Sequence, residues 1–444
     1  MKFADRMQLL GTETAFEVLV RAKALEAQGR DVVHLEIGEP DFDTPTHITD
    51  AACKALREGH THYTPAPGMP ELREAIANDA SKRRGVTFTP DEVVVTPGGK
   101  PIMFFSILAL VNPGDEVIYP NPGFPIYESM INFVGGRPVP IQLEEQRDFS
   151  LDVEKLCASI GPRTRMVILN SPHNPTGGIL SQTDLEAIAE AVRPHPDLIV
   201  LSDEIYSRMI YEGEHVNIAG LPGMRERTIV LDGFSKIYAM TGWRLGYGLF
   251  PKEMAPAIAR LMSNSNSCTA AFTQIAGVAA LTGPQEPSEA MVEEFHRRRD
   301  VIERGLNEIP GVTCRTPHGA FYVFPNITGT GLNSREAADL LLQEAGVAAL
   351  SGTAFGAYGE GYIRLSYANS VENIEKALDR IKQTLTAHQG KRPVASVAGV
   401  ANGKAKTASR ARNGSSVPAS ASATSNGTSK PATSSRRKPA SAKP

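Results

Sequence analysis

Long apolar runs are missing from this chain. Its longest nearly apolar stretch, Ile102 to Val111, is about ten residues against the roughly 20 needed to cross a bilayer, so the sequence predicts no transmembrane helix. Near the start, Asp5 and Gln8 interrupt the apolar region that a secretory signal would need, which makes the cytoplasm the expected location. Cysteine is scarce: Cys53, Cys157, Cys268 and Cys314 lie 46 or more residues apart with no C-x-x-C. A disulfide scaffold and a thioredoxin-type pair are thereby excluded, and buried, reduced thiols are expected. The pair His60-x-His62 has no carboxylate or cysteine cluster to complete a metal site and reads as part of a polar turn. Repeats of roughly 20 to 50 residues, the mark of solenoids, are absent too.

What is present suffices for a large core. Hydrophobic residues make up 41% of the 444 and charged residues 21%, the composition of a globular chain rather than a fibrous or wholly disordered one. The net charge of −3 conceals an asymmetry, because Lys391 to Pro444 contain eleven Lys or Arg and no acid, which leaves −14 on the remainder. That tail has no aromatic residue and no Leu, Ile or Met, so it cannot bury enough apolar surface to offset chain entropy and is expected to be disordered. It reads first as a solubilising appendage. Contact with nucleic acid through its charge is a secondary expectation, not the main role, since no helix-turn-helix precedes the fold.

Before the tail, short β-rich runs alternate with helical patterns, which predicts a mostly parallel sheet with helices on both faces. The runs are Glu92 to Val95, Glu116 to Tyr119, Arg165 to Leu169, Leu198 to Leu201, Thr228 to Leu231 and Leu245 to Leu249. Ser181-x-x-Asp184 signals a helix start, followed by Leu185, Ile188, Ala189 and Val192 on one face. A last helix begins at Ser370 with Val371, Ile374, Leu378 and Ile381 at helical spacing.

Four strand ends carry polar residues of a kind that hydrophobic patterning does not require, and open α/β sheets bind ligands at such ends. After Val95 comes Thr96-Pro97-Gly98-Gly99-Lys100-Pro101, a tight turn into a helix whose free amides suit a phosphate. After Leu169 comes Asn170-Ser171-Pro172-His173-Asn174-Pro175-Thr176-Gly177-Gly178, a stiff loop able to fix the Asn174 amide. After Leu201, Asp203 sits where the strand leaves the core, and a carboxylate there requires a cationic partner. After Leu231 comes Asp232-Gly233-Phe234-Ser235-Lys236, with Arg244 eight residues further on, a pattern that suits a Schiff-base amine beside an anion clamp. Singly, each is equally a β-turn, a tight connection or a solvated lysine; the combination favours a site.

These residues, together with Gly38-Glu39-Pro40-Asp41-Phe42, His62-Tyr63-Thr64-Pro65-Ala66-Pro67-Gly68, Met240 to Gly246 and Ile363-Arg364-Leu365-Ser366-Tyr367, resemble the class I, fold-type I pyridoxal-phosphate aminotransferases, most closely the aspartate aminotransferase-like branch. The resemblance runs from about Gly38 to Leu385. It implies that Lys236 forms the internal aldimine and moves the proton, that Asp203 pairs with the pyridinium nitrogen, and that Tyr206 and Asn174 bond the phenolic oxygen. It further implies that Phe124 stacks on the ring and that Gly98, Gly99, Lys100, Ser235 and Arg244 hold the phosphate. Tyr63 would reach across from a second subunit of a homodimer. Arg364 would take the substrate carboxylate, with Asn174 and Gly38 assisting, and Lys100 could meet a distal carboxylate.

The implied fold is α/β: a large cofactor domain over residues 46–290 with a mostly parallel seven-stranded sheet, a smaller α+β domain from residues 1–45 and 291–389, and the tail at 390–444. The implied activity is ping-pong transfer of an amino group between an L-amino acid, aspartate or glutamate first, and a 2-oxo acid. A transaminase of aromatic or neutral amino acids, or a C–S lyase that eliminates from the β-carbon with the same cofactor, is the alternative.

Overall fold

A computed structural model describes residues 1–390; the tail expected to be disordered and basic, from Lys391 onward, lies outside the described residues. Seven strands, β1 (Val93–Thr96), β2 (Glu116–Asn121), β3 (Arg137–Gln142), β4 (Thr164–Asn170), β5 (Ile199–Asp203), β6 (Thr228–Gly233) and β7 (Gly246–Leu249), form one sheet in the order β1-β7-β6-β5-β4-β2-β3. Neighbours from β3 through β6 are parallel, and β7 is antiparallel to both β1 and β6. The six strands read from the sequence are all there, with ends moved by one or two residues. Strand β3 escaped that reading because Pro138 and Pro140 interrupt it. Its place at the edge explains their tolerance: Arg137 N–H donates to Asp115 O at 2.8 Å, so the residues between point outward, where no ladder bond is needed.

Because helices cover both faces, the middles of the inner strands are apolar at consecutive positions rather than at alternate ones. In β4, Met166 and Ile168 pack with Ile102, Met103 and Phe105 of the helix Lys100–Leu110, while Val167 and Leu169 pack with Leu185 and Ile188 of Gln182–Val192. Ser181 caps that second helix reciprocally with Asp184, and Leu185, Ile188, Ala189 and Val192 are its buried residues. A three-stranded antiparallel sheet, in the order Leu350–Ser351, Ile363–Ser366, Tyr322–Val323, lies outside the main one in sequence and carries Arg364. Among the described residues no helix is long and apolar enough to cross a membrane. Of the four free cysteines only Cys314 is buried; Cys53 is exposed, correcting the expectation for it, because its helix turns Ile48, Ala52 and Ala55 inward instead.

A buried ion network ties the helix Pro70–Arg84 to the ends of β5 and β6. Arg84, whose side chain has no exposed surface, donates from Nε to Glu204 at 2.9 Å and from Nη2 to Asp232 at 2.7 Å. Arg83 and Tyr247 reach the same Asp232 oxygen, and His215 and Ser202 reach Glu204. The Arg84 charge holds Glu204 well down, to about 2, against the opposing effect of burial. Removing the cation leaves two carboxylates beneath the site. Arg84→Ala therefore lowers unfolding free energy by about 3–5 kcal/mol in urea titrations of the holoprotein; a loss under about 1 kcal/mol would show that Arg83, Tyr247 and His215 satisfy both acids.

Candidate active site

The parallel strands end on one side of the sheet, and the polar residues singled out in the sequence emerge there. Asp203 closes the central strand β5 and is 7% exposed. One carboxylate oxygen accepts from Tyr127 O–H at 2.6 Å and the other from Ile205 N–H at 3.3 Å. No cation pairs with it among the described residues, and burial pushes its carboxyl up to about 6 although both bonds act to lower it. Next to it the loop after β4 is pinned by Asn170, whose Nδ2 donates to Asp203 O at 3.1 Å and whose Oδ1 accepts from Asn174 N–H at 3.0 Å.

Lys236 follows β6 by three residues. Its ammonium donates to Gly38 O and stands 5.8 Å from the centre of the Tyr206 ring. Burial brings the amine down to about 8, with the Arg364 charge adding to the effect and Glu39 and Glu13 opposing it. Ser235, just before it, is buried. Gly38 must be glycine, since a Cβ there would lie 2.0 Å from Tyr322 Oη, and that hydroxyl is hydrogen-bonded to Tyr206 Oη at 2.7 Å.

Arg364, 4% exposed, extends from the three-stranded sheet into the same cleft. Nη1 donates to Asn174 Oδ1 at 3.2 Å and Nη2 to Glu36 O, its carbon stands 4.4 Å from the Tyr322 ring centre, and Nε has no partner. No carboxylate forms an ion pair with it among the described residues. At the other end, Gly98 has φ +85°, and a Cβ on it would stand 2.0 Å from Arg244 Nη2. Arg244 therefore packs its guanidinium against the Gly98-Gly99 turn. The amides of Gly99 and Lys100 open the following helix, where no intrahelical acceptor exists. Phe124 is half buried, with its ring edge-to-face on Tyr127 at 5.6 Å and Lys100 Nζ 5.7 Å above it.

Gly38, Asn174, Asp203, Tyr206, Lys236 and Arg364 are thus linked directly or through Tyr322 and Asn170, Asp203 meets Phe124 through Tyr127, Lys100 stands over Phe124, and Gly98 packs against Arg244, with Gly99 and Ser235 adjoining them in the chain. Tyr63 makes no hydrogen bond or ring contact with any of them and is 89% exposed. Tyr127, Tyr322 and Glu13 belong to the site and were missed from the sequence.

The donor set fits pyridoxal phosphate. A buried carboxylate without a cation suits a protonated ring nitrogen, a depressed amine suits a carbonyl, and an arginine with free amides over glycine suits a phosphate. An α/β fold with these groups at its strand ends defines a pyridoxal-phosphate-dependent enzyme. The comparisons with known proteins narrow the class: residues 30–381 match the model of the family "Aminotransferase class I and II", and the chain belongs to that family. It is 42% identical to an aspartate aminotransferase of Geobacillus stearothermophilus, over 87% of this chain and 100% of that protein. It is 39% identical to an aromatic-amino-acid aminotransferase of Thermococcus litoralis, over 87% and 98%. The crystal structure of an aspartate aminotransferase from Rhizobium meliloti superposes with a TM-score of 0.83 at 38% identity, covering 87% of this chain and 99% of that one. The protein is a pyridoxal-phosphate-dependent aminotransferase.

The depressed lysine makes a prediction that needs no substrate. In cofactor-free protein, pH-dependent labelling with an amine-reactive reagent, read by mass spectrometry, gives a midpoint near 8 for Lys236 and about 10.4 for exposed lysines. A Lys236 midpoint near theirs would show that burial does not desolvate it.

Proposed function

We propose that Lys236 is the catalytic lysine of this aminotransferase and that the enzyme transfers the amino group of an L-amino acid, aspartate or glutamate first, to a 2-oxo acid by ping-pong turnover. The observation that carries the reading is the pair of buried, unmatched charges: Asp203 without a cation and Arg364 without an anion, with Lys236 in the same cleft.

Bound pyridoxal phosphate supplies a carbonyl carbon that reacts with amines and a conjugated ring that takes up the electron pair left when the α-carbon loses its proton. In the proposed assignment the Asp203 carboxylate holds a proton on the ring nitrogen, and Tyr127 orients that carboxylate. Gly98, Gly99, Lys100, Ser235 and Arg244 hold the phosphate, Phe124 covers one ring face, and Tyr206 and Asn174 donate to the ring oxygen. The Arg364 guanidinium grips the substrate's α-carboxylate with a planar fork that lysine could not reproduce. Lys236 Nζ would take the α-proton and return it on the far side of the substrate's nitrogen, to the carbon that had been the cofactor's carbonyl; a pKa near 8 leaves a useful neutral fraction at neutral pH.

Residues 46–290 are proposed as the large domain, and residues 1–45 with 291–389 as a smaller one that closes over bound substrate through Arg364. A homodimer is proposed too, supported by the exposure of Tyr63 and of Phe3, Met7, Leu9 and Phe16 near the start of the chain. A cytoplasmic role in amino acid biosynthesis completes the reading. The aromatic alternative is supported by the Thermococcus litoralis relative.

The test is the absorbance of the holoenzyme with single amino acids. The visible cofactor band bleaches to the amino form and returns with a 2-oxo acid; pyruvate and ammonia released without any acceptor would instead establish the lyase. Lys236→Ala abolishes the half-reaction. Arg364→Ala lowers kcat/KM for amino and oxo acids alike by about 10- to 150-fold, the loss expected for a hydrogen bond between charged groups; unchanged kinetics would remove Arg364 from the site.

A further inference from the structure

Glu13 stands immediately before the helix Thr14–Glu26 at its N-cap position, yet its side chain accepts no capping bond from that helix. The carboxylate turns instead to Lys100 Nζ and forms an ion pair with it, its own side chain 17% exposed and that of Lys100 48%. This joins the first helix of the chain to the residue that follows the Gly98-Gly99 turn. Two aromatic rings attend the pair, with Lys100 Nζ lying 5.7 Å from the centre of Phe124 and 6.0 Å from that of Phe16. The negative charge of Glu13 is also felt inside the cleft, where it favours the protonated forms of Lys236 and Arg364.

An amino acid entering this cleft presents an α-carboxylate and a side chain. Arg364 is buried and unmatched, so it takes the first. A side chain ending in a second carboxylate needs a second cation, and Lys100, on the Phe124 side of the cleft, already has a carboxylate bound to it. For such a substrate to be received, the Glu13 carboxylate has to give up Lys100 and remain close to another negative charge. A neutral or aromatic side chain imposes neither cost: it leaves the pair intact and meets the rings of Phe16 and Phe124.

We infer that Glu13 is a specificity-determining residue, an internal competitor that occupies Lys100 and so narrows the enzyme's preference for dicarboxylic substrates over neutral and aromatic ones. The inference rests on the transaminase reading with Arg364 as the α-carboxylate site, and it concerns selection among amino acids rather than the chemical step. It also accounts for a Lys100 side chain that is half exposed yet already paired.

The experiment measures the half-reaction of the full-length holoenzyme by stopped-flow absorbance with aspartate and with phenylalanine, for wild type, Glu13→Gln, Lys100→Met and the double variant. The visible cofactor band verifies that each variant is folded and loaded. Glu13→Gln raises the ratio of kcat/KM for aspartate over phenylalanine by about fivefold, the change that one part-exposed charge pair produces. Lys100→Met lowers the ratio below wild type, and adding Glu13→Gln to it raises the ratio by less than when Lys100 is present, because only the repulsion between Glu13 and the second carboxylate is then relieved. A ratio unchanged by Glu13→Gln, or raised equally with Lys100 absent, overturns the role of Glu13 while leaving transamination standing. A wild-type spectrum that responds to no amino acid overturns the transaminase reading itself.

Discussion

Burying a carboxylate without a cation raises the free energy of a folded chain, and Asp203 does so at the end of the middle strand of the sheet. Neutralising it from within the protein would remove the reason for a ligand to bind there. The fold instead gives it a tyrosine hydroxyl and one backbone amide, enough to orient it and too little to satisfy it. Arg364 is the mirror case: a buried guanidinium with a carbonyl, an amide oxygen and an idle Nε in place of an acid. Two opposite charges kept from local partners make the cleft selective for a molecule that brings a cation to one and an anion to the other.

Such a cleft needs rigid walls, since mobile ones would let the charges find water or each other. Beneath it, Glu204 and Asp232 follow the same strand ends as Asp203 and Lys236, but they are fully matched by Arg83, Arg84, His215 and Tyr247. Asp203, the last residue of β5, and Glu204, the residue just beyond it, thus have opposite fates. The alternation of side chains along β5 carries over its end: Glu204 lies on the side of Ser202 and meets Arg84 and His215, while Asp203 turns the other way to Tyr127. The carboxylate that supports the fold and the one that serves the ligand come from a single dipeptide.

Much of this was legible in the sequence because strands buried on both faces leave no place for polar residues until they end. Asn170, Asp203 and Lys236 each break or follow an apolar run, and each lies at the cleft. Arg364 was readable only through a wider resemblance, since within its own strand an arginine between Ile363 and Leu365 looks like an ordinary outward residue. Tyr127 and Tyr322 were hidden by their neighbours: a tyrosine amid Ile126, Phe321 and Val323 reads as core, and only the fold shows its hydroxyl turned to Asp203 or Tyr206. Glu13 had no sequence signal, because its partner Lys100 is remote in the chain and the pairing exists only after the first helix docks. Strand β3 was lost for the opposite reason, its prolines contradicting a local rule that holds for inner strands alone.

Those prolines do more than mark an edge. The outward-facing positions of β3 at Pro138 and Pro140 offer carbonyls but no N–H, so another extended chain laid against that margin would find half of its hydrogen-bonding template missing. On the opposite side, the order of the sheet ends on β1, whose neighbour β7 runs antiparallel. An open sheet edge invites pairing with another strand, and here the margin with parallel pairing lacks its outward donors at Pro138 and Pro140. That margin is therefore a poor template for the growth of fibrils.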